Sequence, residues 1–216
     1  MTDPTVLLTG FSPFGGAGRN PSWDAVKPLH GLCLHGHIVV ARELPTEFGH
    51  SLTRLTHLVA RHQPALVLCV GLAEGRKALS FERVAVNLND ARIADNVGAQ
   101  PVDTPVVPGA PNALFTTLPV KAMARAVQRA GVPSELSLSA GSFVCNHVFF
   151  GLLELLSRTD SKLGAPTRPG GFVHVPSESD LPVADTRRGL QVALEEALSR
   201  LQRGLGDLKT PAGAIA

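Results

Sequence analysis

The segment TVLLTGFSPFGGAGRNPSWDAVKPL (5–29) crosses from one periodicity to another through a single turn. TVLLTGF (5–11) is a near-continuous apolar run of strand length, and after a glycine-rich turn NPSWDAVKPL (20–29) carries its apolar residues at helical spacing. The same alternation continues along the chain. HIVVARELP (37–45), PALVLCVGL (64–72), FERVAVNL (81–88), ELSLSA (135–140) and GFVHVP (171–176) read as strands rich in Val and Leu and bounded by Gly or Pro. FGHSLTRLTHLVARH (48–62), FTTLPVKAMARAVQRAG (115–131), CNHVFFGLLELLSR (145–158) and DTRRGLQVALEEALSRLQRG (185–204) read as helices. Strands that are apolar throughout need cover on both faces. The prediction is an α/β fold, a single-domain three-layer α/β/α arrangement with a twisted, mostly parallel central sheet. Ligand sites in such sheets gather beyond the carboxyl ends of the strands.

With 216 residues, 44% of them hydrophobic and 18% charged, the chain is long enough for one well-filled core and short for two, so residues 1–216 are expected to form one domain. The tail from about 206 is expected to fray. NDARIADNVGAQPVDTPVVPGAPN (89–112) is too long for an ordinary turn and reads as a site-covering loop or an irregular hairpin, and TDSKLGAPTRPGG (159–171) as a mobile connector. The formal charge of +2 comes from scattered Lys and Arg, which leaves no basic footprint for nucleic acid or membrane. Cys33, Cys69 and Cys145 are odd in number and show no short pairing, which argues for a reducing compartment. No secretory signal or bilayer-length apolar run is present, so a cytoplasmic location is expected.

SAGSFVCNHVFFGLLELLSR (139–158) places Cys145 where a small-residue turn gives way to an apolar helix. Unpaired N–H groups in a first helical turn favour a thiolate, so Cys145 is either a nucleophile or core packing. His174 lies inside an apolar strand, where an imidazole must find a polar partner; it is either a base for Cys145 or a satisfied core histidine. Alternation along FERVAVNL puts Glu82 on one face with Val84, Val86 and Leu88, as either the group that orients the imidazole or a solvated rim carboxylate. Together Cys145, His174 and Glu82 match the roles of nucleophile, proton shuttle and orienting acid. Cys69, inside PALVLCVGL, reads as packing. Phe11 and Phe14 flank the first turn and suit either the walls of a small apolar pocket or packing beneath the loop. That turn lacks the lysine of a phosphate loop, although a phosphorylase-like enzyme would use its Gly15–Gly16 step to hold phosphate. Alternation would put Cys33, His35 and His37 on one strand face, where with His30 they could ligate zinc, but their spacing matches no common closed site and no metal is expected.

The segments VLLTGFSPFGGAGRNPSWDAV, RELPTEFG, FERVAVNLNDARIADN, SAGSFVCNHVFFGLL and GFVHVP resemble, in order and spacing, the pyroglutamyl peptidases of the bacterial pyrrolidone-carboxyl-peptidase type, from about Val6 to about Pro176. That resemblance implies a cysteine exopeptidase on an α/β/α fold that removes an N-terminal 5-oxoproline without metal or organic cofactor. It puts the catalytic roles on Glu82, Cys145 and His174. It also implies pocket walls at Phe11 and Phe14, an arginine near the reacting carbonyl at Arg92, and further substrate contacts at Thr46, Leu72, Phe143 and Val144. A homo-oligomer, dimer or tetramer, is implied as well. The chain departs from the family pattern in four places: Leu72 stands for a usual glutamine, Glu74 for a glycine and Ala94 for a proline, and SESDLP follows HVP where an aromatic residue is usual. A non-catalytic ligand-binding relative is the other reading of such changes.

Overall fold

In the computed structural model, which describes residues 3–164 and 166–212, alternation along Thr5–Phe11 divides the interior in two. Val6 and Leu8 face one apolar core; Leu7 and Phe11 face the other. In chain order the elements are β1 (Thr5–Phe11), α1 (Pro21–Val26), β2 (Cys33–Leu34), β3 (His37–Leu44), α2 (His50–His62), β4 (Leu66–Leu72), β5 (Leu79–Glu82), β6 (Val84–Val86), β7 (Ala113–Phe115), α3 (Val120–Arg129), β8 (Ser134–Ser137), α4 (Val144–Lys162), β9 (Gly170–Val175) and α5 (Val183–Gln202). Seven strands form one sheet in the order β2-β3-β1-β4-β9-β5-β8. Its centre, β3-β1-β4-β9, is parallel; β2 and the β5–β8 pair join it antiparallel. Helices α1, α3 and α5 bury one face and α2 and α4 the other, which is the expected three-layer α/β/α architecture.

Close approach is built into the first unit. A Cβ on Gly10 would lie 2.7 Å from the Trp23 backbone, so glycine lets α1 lie directly on β1. Asn20 caps α1, its side chain accepting from the Ser22 N–H, and Pro21 fills the first helical position.

Four expectations are corrected. The run 81–88 is broken at Arg83, because β5 belongs to the main sheet while β6 pairs with β7 in a separate two-stranded sheet; Glu82 therefore does not share a continuous strand face with Val84, Val86 and Leu88. The helix expected from residue 115 begins at Val120, after Pro119, and Ala113–Phe115 pairs with β6 instead. Cys33, His35 and His37 do not lie along one strand: His35 (φ 47°) and Gly36 (φ 76°) turn a tight β2–β3 hairpin. Among the described residues no group of three His, Cys, Asp or Glu is disposed to hold a metal ion. Finally, the start of the tail is docked. The Asp207 carboxylate accepts from the N–H groups of Lys121 (3.1 Å) and Ala122 (3.0 Å), capping α3, whose own cap position is Pro119. Residues 213–216 of the expected frayed tail lie outside the described residues, as does Ala165 of the connector. In that connector, 159–162 is the last turn of α4, and Arg168 donates to the buried Asp160 from its backbone N–H and Nε. The segment 89–112 is an irregular hairpin pinned by an Asn89–Thr104 bridge. No helix among the described residues is long and apolar enough to cross a membrane.

Candidate active site

Parallel strands bring their carboxyl ends to one edge, and there the sequence places Phe11, Leu44, Leu72 and Val175 as last residues of β1, β3, β4 and β9. His174, one residue before the end of β9, shares the α4 side of the sheet with Phe172, since Val173 and Val175 point into the opposite core. Alternation on β5 sends Leu79 and Phe81 to that opposite core and leaves Ser80 and Glu82 on the His174 side. The consequence is a direct bond: His174 Nδ1–H donates to Glu82 Oε1 at 2.7 Å, with His174 3% exposed and Glu82 fully buried. A carboxylate partner fixes the proton on Nδ1 and leaves Nε2 with its lone pair. Glu82 Oε1 also accepts from Arg76 Nη1 at 2.8 Å, and Oε2 has no hydrogen-bond partner among the described residues.

Cys145 is the second residue of α4. The cap residue, Phe143, offers no side-chain acceptor, and the N–H groups of Val144 and Cys145 have no hydrogen-bond partner among the described residues. Two unspent donors therefore sit beside the thiol. Beneath it lies Gly71: a Cβ there would come within 2.8 Å of Cys145 Sγ and of the Phe172 ring. Glycine at this point of β4 is what lets the sulfur reach the sheet.

Cys145 and His174 line one cavity of about 170 Å³ with Phe11, Phe14, Asn20, Thr46, Leu72, Ala140 and Phe143. Its volume is below the roughly 300–1,000 Å³ of drug-sized pockets, which restricts it to a single small residue or ring. Among the described residues no Asp, Glu, Lys or Arg side chain lines it. Its polar groups are nearly spent on structure: Asn20 accepts from Ser22 and donates to the Ser12 carbonyl, and Thr46 Oγ1 donates to the same carbonyl at 2.8 Å.

Burial, followed by the Glu82 charge, pushes the Cys145 thiol from the ordinary 9.0 up to about 12, against a smaller downward pull from Arg76. Helix-terminal stabilisation of a thiolate reaches about 2 kcal/mol at most, or roughly 1.5 pKa units, and does not cancel a rise of that size. Burial also lowers the His174 pKa, with the Glu82 hydrogen bond acting the other way. Burial thus biases the resting pair towards a neutral thiol and a neutral imidazole, where position in the helix alone favours a thiolate. In a Cys33→Ser background, needed because Cys33 is exposed, alkylation of Cys145 by iodoacetamide is expected to climb about tenfold per pH unit from pH 7 to 9. A plateau reached below pH 8 would mean that the thiolate is already formed at rest.

The two residues after the nucleophile brace it. Asn146, fully buried, accepts from the Val86 N–H (3.0 Å) and donates to the carbonyls of Val86 (2.8 Å) and Leu88 (3.0 Å), locking α4 to β6. His147 Nε2 accepts from the Gly49 N–H at 3.0 Å, so its proton is on Nδ1, which donates to Asn89 Oδ1 at 2.9 Å. Phe48 stands edge-on to both His147 and the cavity residue Phe143, with centroids 5.3 Å apart in each pair.

Burial lowers the His147 pKa from 6.5 to about 4. The unfolded chain takes up this proton near 6.5 and the folded chain resists until about 4, so stability is full above the upper value and falls as pH drops between the two. That interval is on the order of 3 kcal/mol, and the lowered His174 pKa adds in the same sense. Urea unfolding at pH 7 and 4.5 is expected to show the loss, and His147→Gln, which retains one acceptor and one donor, to lessen it. Equal pH dependence in the two proteins would contradict the assignment.

Of the residues singled out from sequence, Glu82, Cys145, His174, Phe11, Phe14, Thr46, Leu72 and Phe143 are brought together at this edge, seven of them on the cavity itself and Glu82 behind His174. Val144 is buried and contributes backbone only. Arg92, which the resemblance places near the reacting carbonyl, is exposed and is not among the residues that line the cavity; its segment turns Asp95 inward to accept from Phe48 N–H. Gly15 and Gly16 are exposed and also lie off the cavity. Arg76, Asn20, Ala140, Asn146 and His147 were not singled out; for Arg76 the available signal was a cation six residues ahead of a buried-strand carboxylate.

The pyroglutamyl peptidase family matches residues 4–205. The pyrrolidone-carboxylate peptidase of Cupriavidus taiwanensis is 47% identical over 206 residues, covering 91% of this chain and 94% of the relative. That of Yersinia pestis is 44% identical over 216 residues, covering 97% and 98%. Among solved structures, pyroglutamyl peptidase I from Bacillus amyloliquefaciens superposes with a TM-score of 0.88 at 39% identity, covering 97% of this chain and 100% of that one. Pyrrolidone carboxyl peptidase from Thermococcus litoralis gives 0.90 at 31% identity, covering 96% and 99%.

Proposed function

The chain belongs to the pyroglutamyl peptidase family, and on that premise we propose that it releases N-terminal 5-oxoproline from peptides by acyl transfer through Cys145. The observation that carries this reading is a small cavity that joins Cys145 to the Glu82-bound His174 and has no charged wall residue to meet a substrate ammonium or carboxylate. A lactam ring, uncharged and compact, suits such a cavity.

Cys145 Sγ attacks the carbonyl between 5-oxoproline and the next residue while its proton passes to His174 Nε2. The oxygen that gains charge is met by the free N–H groups of Val144 and Cys145. Collapse breaks the C–N bond, and the departing amine takes the proton from His174. Water, deprotonated by the same nitrogen, then attacks the thioester and releases 5-oxoproline and the thiol. Glu82 holds the Nδ1–H tautomer and balances the transient imidazolium. Release of a fluorescent amine from an L-pyroglutamyl amide, abolished by alkylating Cys145 and indifferent to orthophosphate, is the expected behaviour. Orthophosphate-dependent release would support the phosphorylase reading instead.

A further inference from the structure

We propose that Arg76 is a positioning residue for this reaction, a clamp whose two guanidinium nitrogens tie the orienting acid Glu82 to the turn that launches the nucleophile helix. The inference rests on the acyl-transfer reading above. Arg76 Nη1 donates to Glu82 Oε1 at 2.8 Å and Nη2 donates to the Ser139 carbonyl at 3.0 Å. Those acceptors belong to opposite halves of the chemistry. Glu82, at the end of β5, holds His174; Ser139 opens the turn that passes through Gly141 (φ 76°) into Phe143 and α4. The same turn is fixed on its other side by Ser142, whose Oγ donates to the Asp90 carbonyl at 2.7 Å and whose own carbonyl accepts from the Asp90 N–H at 3.0 Å.

Without Arg76, Glu82 would be a fully buried carboxylate with one neutral imidazole for a partner and an unpaired Oε2. An ion so enclosed either pairs or takes a proton. Arg76 stands between these outcomes. Its side chain is 24% exposed, so its own charge keeps some solvation while it faces a carboxylate that has none. Among the described residues, the titratable groups around the Glu82–His174 pair are Arg76 from the β4–β5 connection and Cys145 from α4, with Glu135 of β8 reached through the Ser80 hydroxyl; the neighbouring Lys77 is engaged with Asp180 at the surface. Removing the cation takes away one of the charges that lower the His174 pKa, so the imidazole holds a proton at higher pH. A protonated pair cannot both orient the ring and accept the thiol proton.

The test compares Arg76→Gln and Arg76→Lys with the wild-type chain on an L-pyroglutamyl amide. In Arg76→Gln, kcat/KM is expected to fall about 10- to 100-fold, the range for groups that act through a hydrogen-bonded functional residue, mostly in kcat. The acid limb of its pH profile is expected to move up by about one unit or more. Arg76→Lys keeps the charge without the fork: it is expected to restore the acid limb while leaving kcat reduced. Titration of the ¹⁵N-labelled imidazoles by NMR reads the same shift without turnover, and applies even where a variant is nearly inactive. Wild-type kcat and an unmoved acid limb in folded Arg76→Gln would overturn the clamp while leaving the reaction intact. An inactive wild-type chain would count against the reaction itself, and the imidazole titration would then decide the clamp alone.

Discussion

Replacing Cys145 by alanine is expected to reduce turnover of an L-pyroglutamyl amide by about 10⁴-fold or more, and His174→Ala to do nearly the same. The first removes the atom that bonds to the substrate and the second removes the only base among the described residues that lines the cavity. Burial favours the neutral thiol and the neutral imidazole, so the thiol proton passes to His174 as attack proceeds, and neither residue can substitute for the other. Glu82→Gln is expected to retain measurable activity, since its amide oxygen still accepts from Nδ1. The reduction will nevertheless be large. The Arg76 guanidinium would lose its anionic partner, and the new NH₂ would stand where Oε2 already has nothing to bond. Thermal unfolding of each variant separates loss of chemistry from loss of fold; wild-type turnover in a folded Cys145→Ala chain would remove the thiol from the mechanism.

The layers of this fold were readable because burial on both faces leaves a strand apolar throughout, as in Thr5–Phe11, whose observed ends coincide with those read from the sequence. The break at Arg83 was not readable: FERVAVNL is a continuous β-former run, and what divides it is the separate pairing of Val84–Val86 with the distant Ala113–Phe115. The docking of Asp207 on α3 was hidden for the same reason, a contact between segments 85 residues apart. Cys145 and His174 were readable as anomalies of place, a thiol at a helix start and an imidazole inside an apolar strand. The protonation state of Cys145 was not, because helix position is local while burial depends on the packed cavity. Arg76 is not legible in the sequence because its meaning comes from two acceptors, one six and one 63 residues away.

Selectivity gives the second large effect. L-Prolyl and L-glutamyl amides are expected to be cleaved with kcat/KM lower than that of the L-pyroglutamyl amide by on the order of a thousandfold or more. Both bring an ammonium to a cavity in which no carboxylate forms the wall, and the glutamyl compound adds a carboxylate without a facing cation. Phe11, Phe14, Phe143 and Leu72 offer apolar surface to a ring of that size. The Leu72 side chain is apolar and leaves any polar contact at that point to the backbone. Equal cleavage of prolyl and pyroglutamyl amides would show that the neutral lactam is not what the cavity reads.

The central claim, that Cys145 carries the acyl group, is tested most directly by trapping it. Rapid acid quenching of the protein mixed with excess L-pyroglutamyl ester, followed by peptide mass mapping, is expected to find one 5-oxoprolyl group on the peptide containing Cys145, with Cys33 and Cys69 unmodified. Turnover with no adduct, or with the adduct on any other residue, would contradict the account.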